Sequence, residues 1–471
     1  MKTCNKTNKN SELNVSGDTF FQRLSTIYIS SIASFFTLFV IDGYETITFY
    51  KALCFFVLTG CYVLISILGR LELVLIGTRR IVPLRTLWLK LHISQKMIFI
   101  YWMLTAISTL LSVDIKTSLI GTLRFDGFLT ITLYCWMFLF ISSQYRPQKW
   151  LIWLFGATVS ISCIISILQF LGANPLGLFP KGMNYFDAYK LYSGEFLGTI
   201  GNVDIYSAVL CVAIPVFWLS ILKLKGKTRF LLVIPLILCI IVLIRAFVAG
   251  GIVGIFVGTL FTAPFLAKDK KRRNSLLRIV IAVFIILVII VFYFGGYLGG
   301  FLEETSELLH GNWDDSFGSS RLYIWRKAAE LIPQKPLFGG GPDTFGIRTD
   351  AKFERFDETT GMLIQSNVDV AHNEYLNILV NQGSLALIFY IGALFFAAKG
   401  FIQKASERPA TAICGSALIC YSIQAFFGIS SPASAPLFWI CFAIVVNDDH
   451  IQIKNEKGER RDFFEKETFC T

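Results

Sequence analysis

Long apolar runs separated by short polar intervals set the rhythm of this chain. A bilayer core about 30 Å thick needs about 20 apolar residues in a helix to cross it. On that measure twelve runs qualify as spans: 24–41, 50–68, 97–112, 128–143, 150–171, 200–222, 230–245, 248–266, 278–299, 374–398, 410–428 and 432–447. The stretch from Phe230 to Leu266 holds one charge, Arg245, and both of its flanks are basic, Lys223 to Arg229 before it and Lys268 to Arg273 after it. Basic flanks favour the cytoplasmic side, so this stretch must cross twice and turn near Ala246 to Gly251. The pattern predicts an all-α, polytopic helical membrane protein of about 12 transmembrane helices. It forms a single integral membrane domain over 1–471, with one large, partly helical extracytoplasmic loop (300–373) and a short cytoplasmic tail (448–471).

That loop is the one long polar interval, and long loops without a task are uncommon. Within it Leu322, Trp325, Ala329 and Ile332 fall at helical spacing, and Ser319 or Ser320 stands where an N-cap would be. Arg321 then lies in the first turn. Gly339, Gly340 and Gly341 followed by Pro342 make a loop, and His372 comes just before the next apolar helix.

Composition agrees with a membrane protein: 54% of residues are hydrophobic and 16% are charged. The formal net charge of +11 is explained by basic cytoplasmic loops rather than by nucleic acid. Six Lys or Arg lie in 69–96 and six in 267–278, and alternate loops are basic throughout. This puts both termini in the cytoplasm and the 300–373 loop outside. The first 23 residues lack a small-residue cleavage site, so the first run is expected to be a retained anchor. The eleven cysteines are scattered, mostly within apolar runs, with no Cys-x-x-Cys. Neither a disulfide framework nor a zinc site is expected.

The outward face collects the candidate chemistry. Of the four histidines, His310 and His372 fall outside, and His372 is followed by Asn373 and Glu374 at the mouth of a span. An imidazole suits proton acceptance near neutral pH. Arg245 and Arg321 share that face, and guanidinium forks grip phosphate oxygens while staying charged. An arginine near a bilayer surface can also simply snorkel to the headgroups. Arg124, in Gly121-Thr-Leu-Arg-Phe-Asp-Gly127, and Asn202 and Asp204, at the start of the sixth span, are supporting candidates. Lipid phosphate binding and helix capping are their plain alternatives. Asp369, His372 and Glu374 are close in sequence, but no second outward histidine stands at ligand spacing, so no metal or other cofactor is expected.

The order Arg321-x-x-x-Trp325, Pro336-Leu-Phe-Gly-Gly-Gly-x-x-x-Phe345, His372-Asn-Glu-Tyr-Leu and Gly383, with Gly201-Asn202 and Arg245-Ala upstream, resembles the O-antigen ligase and Wzy-polymerase superfamily of bacterial envelope enzymes. The resemblance covers about 120 to 445. Where that family commonly has Ser-Arg-Gly or Ser-Arg-Ala, this chain has Ile244-Arg245-Ala246. The resemblance implies metal-independent transfer of a glycan from an undecaprenyl-diphosphate carrier to a hydroxyl-bearing acceptor (glycan, lipid or protein), on the outer face of the bacterial cytoplasmic membrane. By position, His372 would activate the hydroxyl, and Arg245 and Arg321 would bind the diphosphate. The alternative is a polytopic transporter or flippase, since twelve spans with both ends inside is also a carrier layout.

Overall fold

The computed structural model describes residues 19–76, 83–187, 196–357 and 362–454. The first 18 residues, positions 358–361 of the long loop and the tail from 455 lie outside the described residues. In chain order the helices are α1 (19–38), α2 (Ile47–Leu75), α3 (Leu84–Lys90), α4 (Ile93–Leu110), α5 (Ile115–Ile120), α6 (Phe128–Gln144) and α7 (Trp150–Phe170). They continue with α8 (Val203–Lys223), α9 (Val233–Ala246), α10 (Ala249–Thr262), α11 (Lys270–Leu298), α12 (Gly300–Leu309) and α13 (Phe317–Leu331). The last are α14 (Phe345–Arg348), α15 (Glu374–Lys404), α16 (Pro409–Gln424) and α17 (Ala435–Lys454). Each of the twelve apolar runs falls on a helix. Among the described residues seven helical segments are long and apolar enough to cross a membrane, and Phe128–Gln144 and Ala435–Asn447 are shorter apolar helices.

The two ends of the burial range show how an apolar helix chooses its neighbours. α8 is buried over 83% of its apolar window and lies inside the bundle, whereas α11 is buried over none of its own. Close approach depends on small residues, as is usual between membrane helices. Gly250, Gly254 and Gly258 of α10 recur every fourth position, and a Cβ on Gly254 or Gly258 would come within 3 Å of Gln424 or Cys420 of α16. Lys51 of α2 is buried at 1% exposure, and its Nζ donates to the carbonyls of Phe36 (2.9 Å) and Thr37 (3.3 Å). A π-helical turn, Ile32–Phe36, lies at that point in α1. An ammonium in an apolar bundle needs such acceptors.

The Phe230–Leu266 stretch turns where the basic flanks require: α9 ends at Ala246, Phe247 is left-handed (φ 47°) and α10 starts at Ala249. The long loop differs from expectation in two respects. Ser319 and Ser320 do not cap α13 with their side chains; both are left-handed (φ 57° and 62°), following Gly318 (φ 64°). The regular helix therefore begins at Arg321, and the Gly318 N–H is taken up by Glu304 Oε2 at 2.9 Å. The loop also contains a hairpin, β3 (Lys352–Asp357) antiparallel to β4 (Met362–Asn367). A first two-residue pair, β1 (Phe196–Leu197) with β2 (Gly201–Asn202), precedes α8. At the other end, α17 runs on through 448–454, so the expected solvated tail starts as helix.

The glycine motif and Gly383 form an interlock. Gly383 (φ 89°, ψ 171°) breaks α15, and the carbonyls of Val380 and Asn381 accept instead from Gly340 N (3.2 Å) and Gly341 N (2.7 Å). Ser384 N donates to Pro336 O (2.9 Å), and Arg348 Nη2 donates to Val380 O (2.9 Å) and Asn381 Oδ1 (3.1 Å). A Cβ on Gly383 would run into Leu337 O, and one on Gly340 into the Arg348 guanidinium. Gly383→Ala is therefore expected to lose more than about 1 kcal/mol, the cost of a side chain where φ is positive. Gly392→Ala, which meets Met97 only at 3.5 Å or beyond, should be nearly neutral. Thermal unfolding of the two detergent-purified variants checks this, and equal midpoints would contradict the interlock.

Candidate active site

The loop interlocked with α15 carries its residues to the mouths of α6, α8 and α15. His372 directly precedes α15 and is half-buried in the left-handed region (φ 47°), where a non-glycine residue costs about 1–3 kcal/mol. Asn373 caps the helix, its Oδ1 accepting from Leu376 N at 3.0 Å. Glu374 opens the first turn, where a carboxylate suits the helix dipole. Its side chain is buried and accepts from the Tyr390 hydroxyl (2.5 Å) and the Tyr421 hydroxyl (3.5 Å).

Two arginine–aspartate pairs lie close enough to His372 to act on its charge. Arg124 donates through Nε to Asp369 Oδ2 (2.6 Å) and through Nη2 to Asp369 Oδ1 (3.3 Å). Arg321 donates through Nη2 to Asp204 Oδ1 (3.4 Å), through Nε to Phe427 O (3.2 Å) and through Nη1 to Gly318 O (2.8 Å). A guanidinium has five N–H donors, so both arginines keep donors unused. Burial, with Arg124 and Arg321 adding to it and Asp204 and Asp369 opposing, lowers the His372 pKa to about 4. Near neutral pH the imidazole is uncharged and able to accept a proton.

The loop bearing Arg124 is closed at its ends by glycines: a Cβ on Gly127 would lie 2.5 Å from Gly121 N. It is pinned to the glycine motif by Asp343, whose Oδ2 accepts from Thr122 N (2.5 Å) and Thr122 Oγ1 (3.0 Å). Phe125 and Asp343 are also left-handed. Of the eight non-glycine residues with positive φ among the described residues, Phe125, Ser319, Ser320, Asp343 and His372 are in or next to these segments. Such clustering of strain marks sites that the surrounding fold holds in place.

The sequence candidates thus separate. His372, Arg321, Arg124 and Asp204 come together. Asn202 and Asn373 are helix caps, with Asn202 Oδ1 accepting from Asp204 N (2.8 Å) and Ile205 N (3.4 Å). Arg245 is exposed at the end of α9 with its guanidinium 5.6 Å from the Phe170 ring centroid, and it forms no ion pair among the described residues. The charges acting most on His372 are Arg124, Asp204, Arg321 and Asp369, not Arg245. His310 stacks on Phe292 at 4.1 Å and its Nδ1 meets Ser306 O at 2.8 Å, a packing role. Asp126 and Asp343 were not singled out by the sequence. Burial, reinforced by neighbouring carboxylates, raises both pKa values, Asp126 well above the ordinary carboxyl range. Among the described residues no group of three or more His, Cys, Asp or Glu is arranged to hold a metal. Asp369 and Glu374 are each engaged as above.

Residues 234–391 match the family model for O-antigen ligase. This O-antigen ligase segment is about a third of the chain and runs from α9 into α15. It contains Arg245, Arg321, the glycine motif, His372 and Gly383, so the resemblance drawn from those motifs is met where most of them lie. Arg124, Asn202 and Asp204 are upstream of it. No curated protein matches the chain.

Proposed function

We propose that this protein transfers a glycan from an undecaprenyl-diphosphate carrier to a hydroxyl-bearing acceptor on the extracytoplasmic face of the bacterial cytoplasmic membrane. It does so as a twelve-span protein with both termini in the cytoplasm and the 300–373 segment outside. The observation that carries the reading is His372 at the mouth of α15 within electrostatic reach of the Arg124–Asp369 and Arg321–Asp204 pairs. The imidazole takes the acceptor proton as the hydroxyl oxygen attacks. The unused N–H donors of Arg321 and Arg124 meet the diphosphate as negative charge builds on it. Arg245, exposed and without a carboxylate partner among the described residues, adds its charge from the membrane side. Asp204 and Asp369 hold the two forks in orientation.

Charge neutralisation by guanidinium makes a divalent ion unnecessary in this scheme. The test is purified protein in liposomes with lipid-linked glycan and a hydroxyl acceptor, in excess chelator. Covalent transfer is expected to persist. Glycan that only changes leaflet would support transport, and activity restored by one divalent ion would return Asp369, His372 and Glu374 to consideration as ligands.

The lowered pKa of His372 also fixes the expected pH dependence. A base that ionises at about 4 remains in its accepting form at every pH above that. The kcat/KM of transfer, which reports the free enzyme, should therefore hold down to about pH 5 and fall only near 4. An acid limb centred near 6.5, the value of an unperturbed imidazole, would contradict the placement of His372.

A further inference from the structure

Asp126, two residues beyond Arg124, and Glu374, two residues beyond His372, face one small cavity of about 20 Å3, with Tyr101, Tyr134, Gln382 and Tyr390 among its other walls. A space of that size holds a water molecule where polar groups surround it. One polar group there lacks a partner: the Tyr134 hydroxyl is buried, its residue 2% exposed, and forms no hydrogen bond. A buried hydroxyl is normally satisfied by protein or by ordered water. None of the lining residues is basic. The arginine acting on Asp126, Arg124, is engaged with Asp369. Two carboxyls in one poorly solvated space do not both ionise.

We infer that a water molecule in this cavity links Asp126, Glu374 and Tyr134 and that the two carboxyls hold a single proton between them. The proton rests on Asp126. That carboxyl faces Asp343 and Glu374, both acidic, with Arg124 as the opposing charge. Glu374 receives two phenolic hydrogen bonds, from Tyr390 and Tyr421, against the one from Ser430 at Asp126, and hydrogen bonds to a carboxylate favour its ionised form. The proton-holding site does not depend on the transferase reading.

Infrared spectroscopy of the detergent-purified full chain at neutral pH tests the site without any substrate. A protonated, buried carboxyl band is expected, lost in Asp126→Asn and shifted in Tyr134→Phe, which keeps the ring and removes only the hydroxyl. Absence of the band, its survival in Asp126→Asn, or an unshifted band in Tyr134→Phe would overturn the site. Glu374→Gln keeps an acceptor for Tyr390 but cannot share the proton, so it should shift the band, and an unshifted band in that variant would overturn the sharing.

Discussion

His372→Ala should reduce glycan transfer by about 10² to 10⁴, the span that general-base catalysis supplies, equivalent to about 2.7 to 5.4 kcal/mol of barrier. Binding of the diphosphate carrier should be kept, because the donors that would meet it belong to Arg321 and Arg124. Removing the side chain also relieves no strain, since alanine at φ 47° is as disfavoured as histidine. Loss of fold must therefore be separated from loss of chemistry by comparing monodisperse protein at matched amounts. His372→Gly is the more telling companion, because glycine accepts the left-handed backbone without cost. It should be as inactive as the alanine variant and at least as stable. Transfer at the wild-type rate in both would remove the base assignment. His310, stacked on Phe292 and bonded to Ser306 O, is poorly placed to replace it.

What the sequence disclosed follows from which forces act locally. Apolar runs locate helices because burial in lipid and backbone hydrogen bonding act over one continuous stretch, and all twelve runs proved helical. His372 could be singled out because it stands at a helix mouth at the end of the long loop, and the fold brings it within electrostatic reach of Arg124 and Arg321. Asp126 and Asp343 were not, since their carboxyls acquire meaning from burial against residues more than 200 positions away, such as Glu374 for Asp126 and Thr122 for Asp343. Asn202 shows the reverse: a cap and a ligand use the same short side chain, and only Asp204 N and Ile205 N at bonding distance decide for the cap. Ser319 and Ser320 looked like caps by spacing, but the glycine before them turns the chain left-handed and leaves Arg321 to start the helix. The Gly250, Gly254 and Gly258 stripe was readable in principle, since spacing of four small residues signals close helix packing.

Arg321→Ala should cost about 10² to 10³ in transfer, the range for removing one electrostatic donor from a developing charge, and unlike His372→Ala it should weaken carrier binding as well. The geometry sets a further expectation for lysine. Arg321 spends Nε, Nη1 and Nη2 on Phe427 O, Gly318 O and Asp204 Oδ1 respectively, and these three bonds hold the plane of the fork while other N–H groups stay available. An ammonium has three donors on one atom and no plane. It can reach Asp204 or the diphosphate but cannot span Gly318 and Phe427 as well, so Arg321→Lys should restore binding only in part. Arg245→Ala provides the contrast, because that side chain is exposed, forms no ion pair among the described residues and is not among the main charges on His372. Its loss should weaken carrier binding less than the loss of Arg321. Titration of each variant with a polyprenyl diphosphate, followed by transfer assays at saturating donor, measures both quantities. If Arg245→Ala proves the more damaging of the two, the diphosphate lies toward the end of α9 rather than between Arg124 and Arg321, and His372 would have to act from the far side of its two arginine–aspartate pairs.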